Sequence, residues 1–449
     1  MHYAGIVLVL ALIVIIGAMS GRNIKSAKNF AGGGNAGYSI VVGTVIGTLV
    51  GGSSTIGTAQ LAFSYGFSAW WFTVGGGLGC LIMALFYTKP LYESGAMTLP
   101  EILKVEYGQS VALAATTVSS LGSFLSVISQ ILSGVALVST IFVMPSVLCA
   151  LCILLLMFLT VIFGGVWGTG RVGTVKTILL SATIFLCGTI ALAQQGGVSG
   201  FYSVLDKKLY FNLFARGVAK DLGNGLSLIV GVLTTQAYFQ AIRSARNLKV
   251  AKTSILISAV IIPLIGLLGV FVGMYMKINY PNINSATALP RFILMKLPAF
   301  PAGIALGTLL LAVIATGSGI ALGVGTMLKV NIYDRMVENK TEHQQLIATR
   351  VLIGTVLGVA GIVAIVCPQS LIMNWSFLSM GLRGAGVFLP LTAALFLKGR
   401  ASSWGALLSI VVGPLFTVLG KAVGLTAVAP LFIGILASLL VLLLSVKID

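Results

Sequence analysis

Hydroxyl and amide side chains interrupt two apolar segments of the sequence, and their chemistry suits the binding of a small polar solute. The first interruption is Gly51-Gly52-Ser53-Ser54-Thr55, and the second is Thr234-Thr235-Gln236. Scattered glycines are common in membrane helices because they allow close packing. Hydroxyls and weak helix formers concentrated at one point instead indicate a break, since non-helical backbone at membrane depth survives only beside a cavity or inside the protein. We therefore predict two discontinuous helices, an arrangement typical of the binding site of an inverted-repeat transporter.

The apolar segments contain few charged residues, and acidic ones are missing from the middle of the predicted spans. None of the nine acidic residues lies in the middle of a predicted span, and Arg383 is the one charge that we place deep inside a span. A proton relay built on carboxylates, or a Ca²⁺ or Mg²⁺ site, therefore lacks its ligands. A bound monovalent cation must be held by backbone carbonyls and hydroxyls, and the solute is expected to be neutral, zwitterionic or anionic.

Three roles stay open for Arg383. A charged side chain within a membrane span is costly and is by default a functional hypothesis. It could be the counter-charge of an anionic solute, a structural or gate residue that bonds to carbonyls, or a fixed cation that substitutes for a mobile ion.

The composition predicts which elements position these residues. Of the 449 residues, 58% are hydrophobic and only 8% are charged, and the mean hydropathy is +1.08. Because soluble domains carry about 25% charged residues, a soluble enzyme, a secreted disulfide scaffold and a disordered chain are excluded. We predict an all-α polytopic membrane protein with about thirteen spans, at roughly 3–19, 37–63, 67–88, 111–141, 146–165, 174–195, 222–241, 253–277, 303–328, 349–366, 370–397, 403–421 and 427–446.

The net charge of +18 indicates orientation. In a soluble protein this excess would suggest nucleic acid, but here most basic residues fall in the predicted inner loops, as the positive-inside rule expects. Lys176, for example, is assigned with Arg171 to the third inner loop. We therefore predict a multi-pass protein of the cell membrane, with the N-terminus outside, the C-terminus inside, a lipid bilayer around it and no nucleic-acid partner.

Two short segments support an internal repeat. Thr98 to Lys104 follows the third span and Ala288 to Leu294 follows the eighth, and each resembles a Pro-initiated interfacial helix. The topology places them on opposite sides, as an inverted repeat requires. We predict a single transporter domain over residues 1–449, divided into a leading helix and first inner loop (1–36), repeat one (37–195), repeat two (222–397) and trailing helices (403–449).

No constellation of catalytic residues is evident, and we predict that the chain is not an enzyme. Cys149 and Cys152 have CxxC spacing, but no second pair or nearby His accompanies them, so they are interpreted as small apolar residues. His2 and His343 lie in a terminus and a polar loop. A channel or a solute-sensing module are the other classes of protein considered.

Four segments resemble, in order, the signatures of the sodium:solute symporter family. They are Ile56 to Trp70, Thr98-Leu99-Pro100-Glu101 with Tyr107-Gly108, Gln240 to Lys252, and Asn331-Ile332-Tyr333-Asp334. The resemblance covers nearly the whole chain. It implies the LeuT-type five-plus-five fold, alternating access and Na⁺-driven uptake of a small solute.

The resemblance also implies a sodium site made of residues from the second and ninth spans. The carbonyl positions of the family fall on Gly47, Val50 and Ala312, and its two consecutive hydroxyl residues fall on Ala315 and Thr316. Ala315 departs from the pattern, and Ser318 lies at the wrong helical angle to replace it. The site could bind Na⁺ weakly, or sodium coupling could be lost, in which case a Na⁺-independent or proton-coupled carrier is the alternative.

The predicted solute site joins the two breaks with Arg383. Sugar-transporting members of the family place amide and acidic side chains where this sequence has Ser54 and Thr73. A carboxylate-bearing solute, such as an amino acid, a vitamin acid or a monocarboxylate, is therefore expected in preference to a sugar. The predicted substrate-binding residues are Ser53, Ser54, Thr55, Thr73, Thr234, Thr235, Gln236 and Arg383.

Overall fold

The computed structural model describes residues 1–21, 35–96, 98–142, 144–164, 171–329, 333, 342–423 and 429–446. Within these residues the regular elements are helices, which confirms the predicted all-α fold. Two predicted features lie outside the described residues: most of the first inner loop (22–34), and Asn331, Ile332 and Asp334 of the last signature segment.

Among the described residues, the first half of the chain contains eleven helices: α1 (His2–Gly21), α2 (Tyr38–Leu49), α3 (Gly52–Tyr65), α4 (Trp71–Ile82), α5 (Thr88–Glu93), α6 (Leu99–Tyr107), α7 (Gln109–Phe142), α8 (Ser146–Gly164), α9 (Arg171–Gln194), α10 (Gly197–Val204) and α11 (Lys207–Tyr210). A 3₁₀ turn at Gly66–Trp70 joins α3 to α4, and a π-helical turn at Met83–Tyr87 joins α4 to α5.

The second half contains nine described helices: α12 (Val218–Leu233), α13 (Gln236–Ser244), α14 (Leu248–Asn279), α15 (Ala288–Lys296), α16 (Ala299–Leu328), α17 (Glu342–Val366), α18 (Ile372–Phe396), α19 (Ser403–Ala422) and α20 (Pro430–Leu444).

Length and composition allow many of these helices to cross a membrane. In the described part of the chain eight qualify, or up to nine when the bent pair α12 and α13 is taken as one span. Four shorter apolar helices accompany them, at His2–Ala11, Tyr38–Leu49, Ser146–Thr160 and Pro430–Leu444. A polytopic membrane protein is therefore confirmed, whereas the number thirteen and the N-out, C-in orientation stay predictions.

Both predicted helix breaks are present. Helix α2 ends at Leu49 and α3 begins at Gly52, so that Val50 and Gly51 lie outside either helix. Helices α12 and α13 meet at Thr234 and Thr235 with a bend of 44°. At each break, one helix ends and the next begins at residues that form helices weakly and can cap helix ends.

The two broken helices are connected reciprocally. The Ala36 amide before α2 donates to the carbonyl of Ser244 at the end of α13 (2.9 Å), and the Arg246 amide donates back to Ala36 (3.1 Å). Each short interfacial helix also approaches the second part of the other broken helix. The Leu99 amide that opens α6 donates to Gln236 Oε1 of α13 (2.9 Å), and α15 packs against α3. This arrangement supports two repeats, whose boundaries stay a prediction.

Candidate solute and ion site

At the first break, one of the three predicted hydroxyls is held by another helix. Ser53 accepts a hydrogen bond from Gln130 Nε2 of α7 (2.8 Å), and its amide donates to Gln130 Oε1 (3.3 Å). Ser54 and Thr55 instead form hydrogen bonds with backbone groups of the break itself. The Gly51 amide donates to Ser54 Oγ (2.8 Å), and Thr55 Oγ1 donates to the Gly51 carbonyl (3.0 Å). These bonds satisfy backbone groups that a helix end leaves unpaired.

The second break is built in a similar way. Thr234 Oγ1 donates to the Val230 carbonyl (2.8 Å), and Thr235 Oγ1 donates to the Gly231 carbonyl (2.6 Å). Both hydroxyls therefore satisfy carbonyls at the end of α12. Gln236 holds the start of α6 through its bond with Leu99, which identifies a connecting role for it that the sequence did not indicate.

Arg383 of α18 reaches the second break. It is 6% exposed, and its Nη1 donates to Thr235 Oγ1 (3.1 Å). Its Nε donates to the Ser379 carbonyl (3.2 Å), while its Nη2 contacts Ser379 Oγ (3.2 Å) and Met380 Sδ (3.1 Å). These contacts agree with a residue that bonds to the break and to its own helix, the second of the three roles considered. One N–H of Nη1 remains without a partner among the described residues.

Helix α7 joins the two breaks. Gln130, which holds Ser53, lies four residues from Ser126, and this spacing is about one helical turn, or ~6 Å. Ser126 Oγ lies 2.6 Å from Ser379 Oγ, which in turn contacts Arg383. One turn of α7 therefore contacts the first break through Gln130, and the adjacent turn contacts, through Ser126 and Ser379, the group around Arg383 at the second break. The sequence did not single out Gln130, because a lone amide in a long apolar segment carries no local signal.

Thr73 takes part in neither set of contacts. Its hydroxyl donates to the Trp70 carbonyl at the start of α4 (3.2 Å), and its side chain packs against Gly266 of α14. The structure therefore brings seven of the eight predicted solute-site residues to the two breaks and places Thr73 between α4 and α14.

The predicted ion site contains a cation that belongs to the protein. Lys176 Nζ of α9 donates to the carbonyl of Gly47 (3.0 Å) and to Thr316 Oγ1 (2.9 Å). Val50 and Ala312 are buried, and a Cβ placed on Gly51 would lie 3.1 Å from Thr316 Oγ1. The second and ninth predicted spans thus meet as the resemblance implies, with the lysine ammonium between them.

The assignment of Lys176 to an inner loop was wrong. Helix α9 begins at Arg171, so that Lys176 already lies in its second turn, and only 5% of the residue is exposed. Arg383 is consequently not the one charge buried within the helices. Ser318 donates to the Met157 carbonyl of α8 (3.1 Å), so its hydroxyl points away from the ion site, as its helical angle predicted.

The residues of this site do not fit Na⁺ as they stand. Sodium, a hard cation, takes oxygen ligands, and two of the oxygens assigned to it accept hydrogen bonds from Lys176. Ala315 supplies no hydroxyl to compensate. A second monovalent cation here would also be repelled by the ammonium.

The comparisons with known proteins cover most of the chain. Residues 29–413 match the sequence model of the Sodium:solute symporter family. A high-affinity choline transporter of Drosophila melanogaster is 24% identical over 91% of this chain and 69% of that protein. An uncharacterized symporter of Bacillus subtilis is 22% identical over 90% of this chain and 82% of that protein. The human high-affinity choline transporter is 21% identical over 93% of this chain and 77% of that protein.

Solved structures share the fold. A Na⁺-coupled sialic acid symporter in a substrate-bound, outward-open state superposes with a TM-score of 0.77 at 19% identity, covering 99% of this chain and 96% of that one. A manganese transporter of Eremococcus coleocola gives a TM-score of 0.55 at 12% identity over 94% of both chains. The first likeness supports the predicted LeuT-type architecture.

Proposed function

Because the chain belongs to the sodium:solute symporter family, we propose that it is a secondary active transporter that carries a small organic solute across the cell membrane by alternating access. The observation that carries the proposal is a pair of polar contacts on adjacent turns of α7: Gln130 bonds to Ser53 at one break, and Ser126 reaches Arg383 at the other break through Ser379. Both helix breaks are thus held by polar side chains of one helix. Polar groups at membrane depth are costly, and they mark solute pathways in transporters.

For the solute, we infer a carboxylate-bearing molecule such as an amino acid, a vitamin acid or a monocarboxylate. Arg383 is buried beside Thr235, and the described residues pair no carboxylate with it. Its remaining Nη1 donor can serve a carboxylate, which arginine binds through charge-assisted hydrogen bonds. The seven residues at the breaks are proposed as the lining of the solute site, Arg383 as its orienting charge, and Thr73 as a packing residue.

A quaternary ammonium solute is the second candidate. The choline transporters among the curated relatives favour it. The local charges oppose it, because Arg383 and Lys176 are both basic and the buried carboxylate of Asp221 is paired with Arg216. A cation would therefore need aromatic faces as its binding surface.

For the driving ion, family membership and the symporter neighbour support Na⁺. The contacts of Lys176 with Gly47 and Thr316 favour the alternative of a carrier that places no Na⁺ at this site.

The test is a ligand screen on the purified full-length protein, followed by uptake into proteoliposomes. Amino acids, vitamin acids, monocarboxylates, sugars and choline are compared by the rise in melting temperature each produces. We expect stabilisation by a carboxylate-bearing compound, and a loss of uptake of about tenfold or more in Arg383→Ala, with partial retention in Arg383→Lys. Arg291→Ala, at an exposed position of α15, is the matched control. Stabilisation by choline alone, or normal uptake by Arg383→Ala, would refute the proposed solute class.

A further inference from the structure

We propose that the ammonium group of Lys176 occupies the family's sodium position as a tethered cation, so that this carrier binds no Na⁺ between Gly47 and Thr316. The inference rests on the proposed function and concerns its ion step. It starts from the two hydrogen bonds of Nζ, 3.0 Å to the Gly47 carbonyl and 2.9 Å to Thr316 Oγ1.

The contacts connect the same elements that a bound ion would connect. Gly47 lies in α2, the first part of a broken helix, and Thr316 lies in α16. A sodium ion shared between them would hold the two helices together through its oxygen ligands. An ammonium does so through N–H donors, of which lysine has three. Lys176 therefore provides the same cross-connection from a third helix, α9.

The environment suits a cation held by neutral oxygens. Lys176 is buried, and no carboxylate pairs with it among the described residues. A buried ammonium without a counter-charge needs good hydrogen-bond acceptors. A backbone carbonyl beside a helix break and a hydroxyl are such acceptors, and they are also the ligands expected of a sodium site without carboxylates.

Packing holds the lysine in this position. Thr177 Oγ1 donates to the Gly43 carbonyl of α2 (3.1 Å) and to the Gly173 carbonyl of its own helix (2.8 Å). A Cβ on Gly47 would lie 2.5 Å from Thr177 Oγ1, so glycine is required for α9 to approach α2 this closely. The contact of Lys176 thus belongs to a tight helix interface.

Ala315 agrees with the replacement. The resemblance places a hydroxyl residue of the family pattern at this position, where the sequence has alanine. A site that holds the lysine ammonium and lacks a hydroxyl at position 315 offers few free oxygen ligands to Na⁺. A tethered charge also cannot leave the protein, so no sodium gradient can be used through this site.

The test measures binding of radioactive Na⁺ to the purified full-length chain without any solute. The natural protein is compared with Lys176→Met, Lys176→Met/Ala315→Ser and, as a matched control, Lys252→Met, which changes an exposed lysine of α14. In the natural protein and the control we expect no saturable Na⁺ binding that Thr316→Val abolishes. The double variant, which removes the ammonium and adds a hydroxyl at position 315, should bind Na⁺ saturably, with a signal at least about tenfold above the background of the natural protein, since a like charge has been removed from the site.

Two results would overturn the inference. One is saturable Na⁺ binding to the natural protein that Thr316→Val abolishes. The other is a double variant that melts cooperatively, and is therefore folded, yet binds no Na⁺. Because the assay needs no solute, a failed solute screen leaves its outcome intact. In transport assays, we expect the natural protein to take up its solute equally well in Na⁺ and K⁺ media.

Discussion

Gln130 and Ser53 form a reciprocal pair at the first helix break: the amide nitrogen of Gln130 donates to the Ser53 hydroxyl at 2.8 Å, and the Ser53 amide donates to the Gln130 oxygen at 3.3 Å. One side chain of α7 thus satisfies a hydroxyl and a backbone donor in the first turn of α3. The free N–H groups of a helix start need such partners, and within a membrane few others are available.

Replacing Gln130 by Leu should therefore destabilise the protein. The change leaves the buried Ser53 amide and hydroxyl without this partner, and unmade bonds of buried groups cost about 1–3 kcal/mol. Thermal melting of the purified chain measures the loss. The control is Thr117→Ala, because Thr117 is exposed on the same helix and its Oγ1 donates only within that helix, to the Leu113 carbonyl (3.0 Å), and this change should stay within about 0.5 kcal/mol. Equal melting temperatures for the two variants would show that the pair contributes nothing.

The breaks could be predicted from the sequence, but the partners of the residues at the breaks could not. Gly51 is a weak helix former and Ser54 can cap a helix end, and these local properties favour the end of a helix at this position. Gln130 meets Ser53 across 77 residues of chain, and this pairing depends on how α7 packs. Only tertiary structure contains that information.

Lys176 likewise shows what the sequence can predict about a charged residue and what only the packing of the helices determines. The positive-inside rule treats a basic residue near the start of a span as an orientation signal. Once α9 begins at Arg171, however, the lysine lies inside the bundle and faces Gly47. The positions of the ion site followed from the resemblance, whereas the residue that now fills it follows from the packing of α9 against α2.

A buried ion pair provides the second stability prediction. Arg216 Nη2 lies 2.6 Å from Asp221 Oδ1, and Ser68 Oγ bonds to both residues. Burial lowers the pKa of the Arg216 guanidinium, and the Asp221 carboxylate opposes that shift. Asp221→Asn removes the opposing charge and should cost about 3–5 kcal/mol, the usual loss when one partner of a buried pair is removed.

Two further variants test whether the loss of stability in Asp221→Asn comes from the unpaired charge or from changed packing. Arg216→Met/Asp221→Leu replaces both charges by apolar groups and should cost less than Asp221→Asn, because no unpaired charge remains buried. Lys220→Gln, at an exposed neighbouring position, should be neutral. Urea or thermal unfolding of the four proteins provides the comparison, and a double variant less stable than Asp221→Asn would contradict the argument.

The contact between Arg383 and Thr235 predicts an effect on transport. Thr235→Val keeps the shape of the side chain but removes the acceptor 3.1 Å from Nη1 and the hydroxyl that satisfies the Gly231 carbonyl. Since hydrogen bonds to charged groups contribute about 1.5–3 kcal/mol, uptake at low solute concentration should fall by about tenfold or more. Thr235→Ser retains the hydroxyl and should stay close to the natural protein. If both variants transport equally, the guanidinium does not depend on Thr235.

Gly47 provides the last prediction, which concerns the interface that holds Lys176. Gly47→Ala adds a Cβ only 2.5 Å from Thr177 Oγ1, so Thr177 must shift, and we expect α9 to move away from α2 and to weaken the contact of the ammonium with the Gly47 carbonyl. Overpacking of this kind costs about 1–3 kcal/mol. The control is Gly319→Ala in α16, where a Cβ would meet nothing within 4 Å, and helix propensity should make this variant neutral or more stable by up to about 1 kcal/mol. Adding Thr177→Ala to Gly47→Ala removes the clashing hydroxyl and should recover part of the lost stability. Melting temperatures of these variants measure the differences in stability. A Gly47→Ala protein as stable as the Gly319→Ala control would contradict the described packing of α9 against α2.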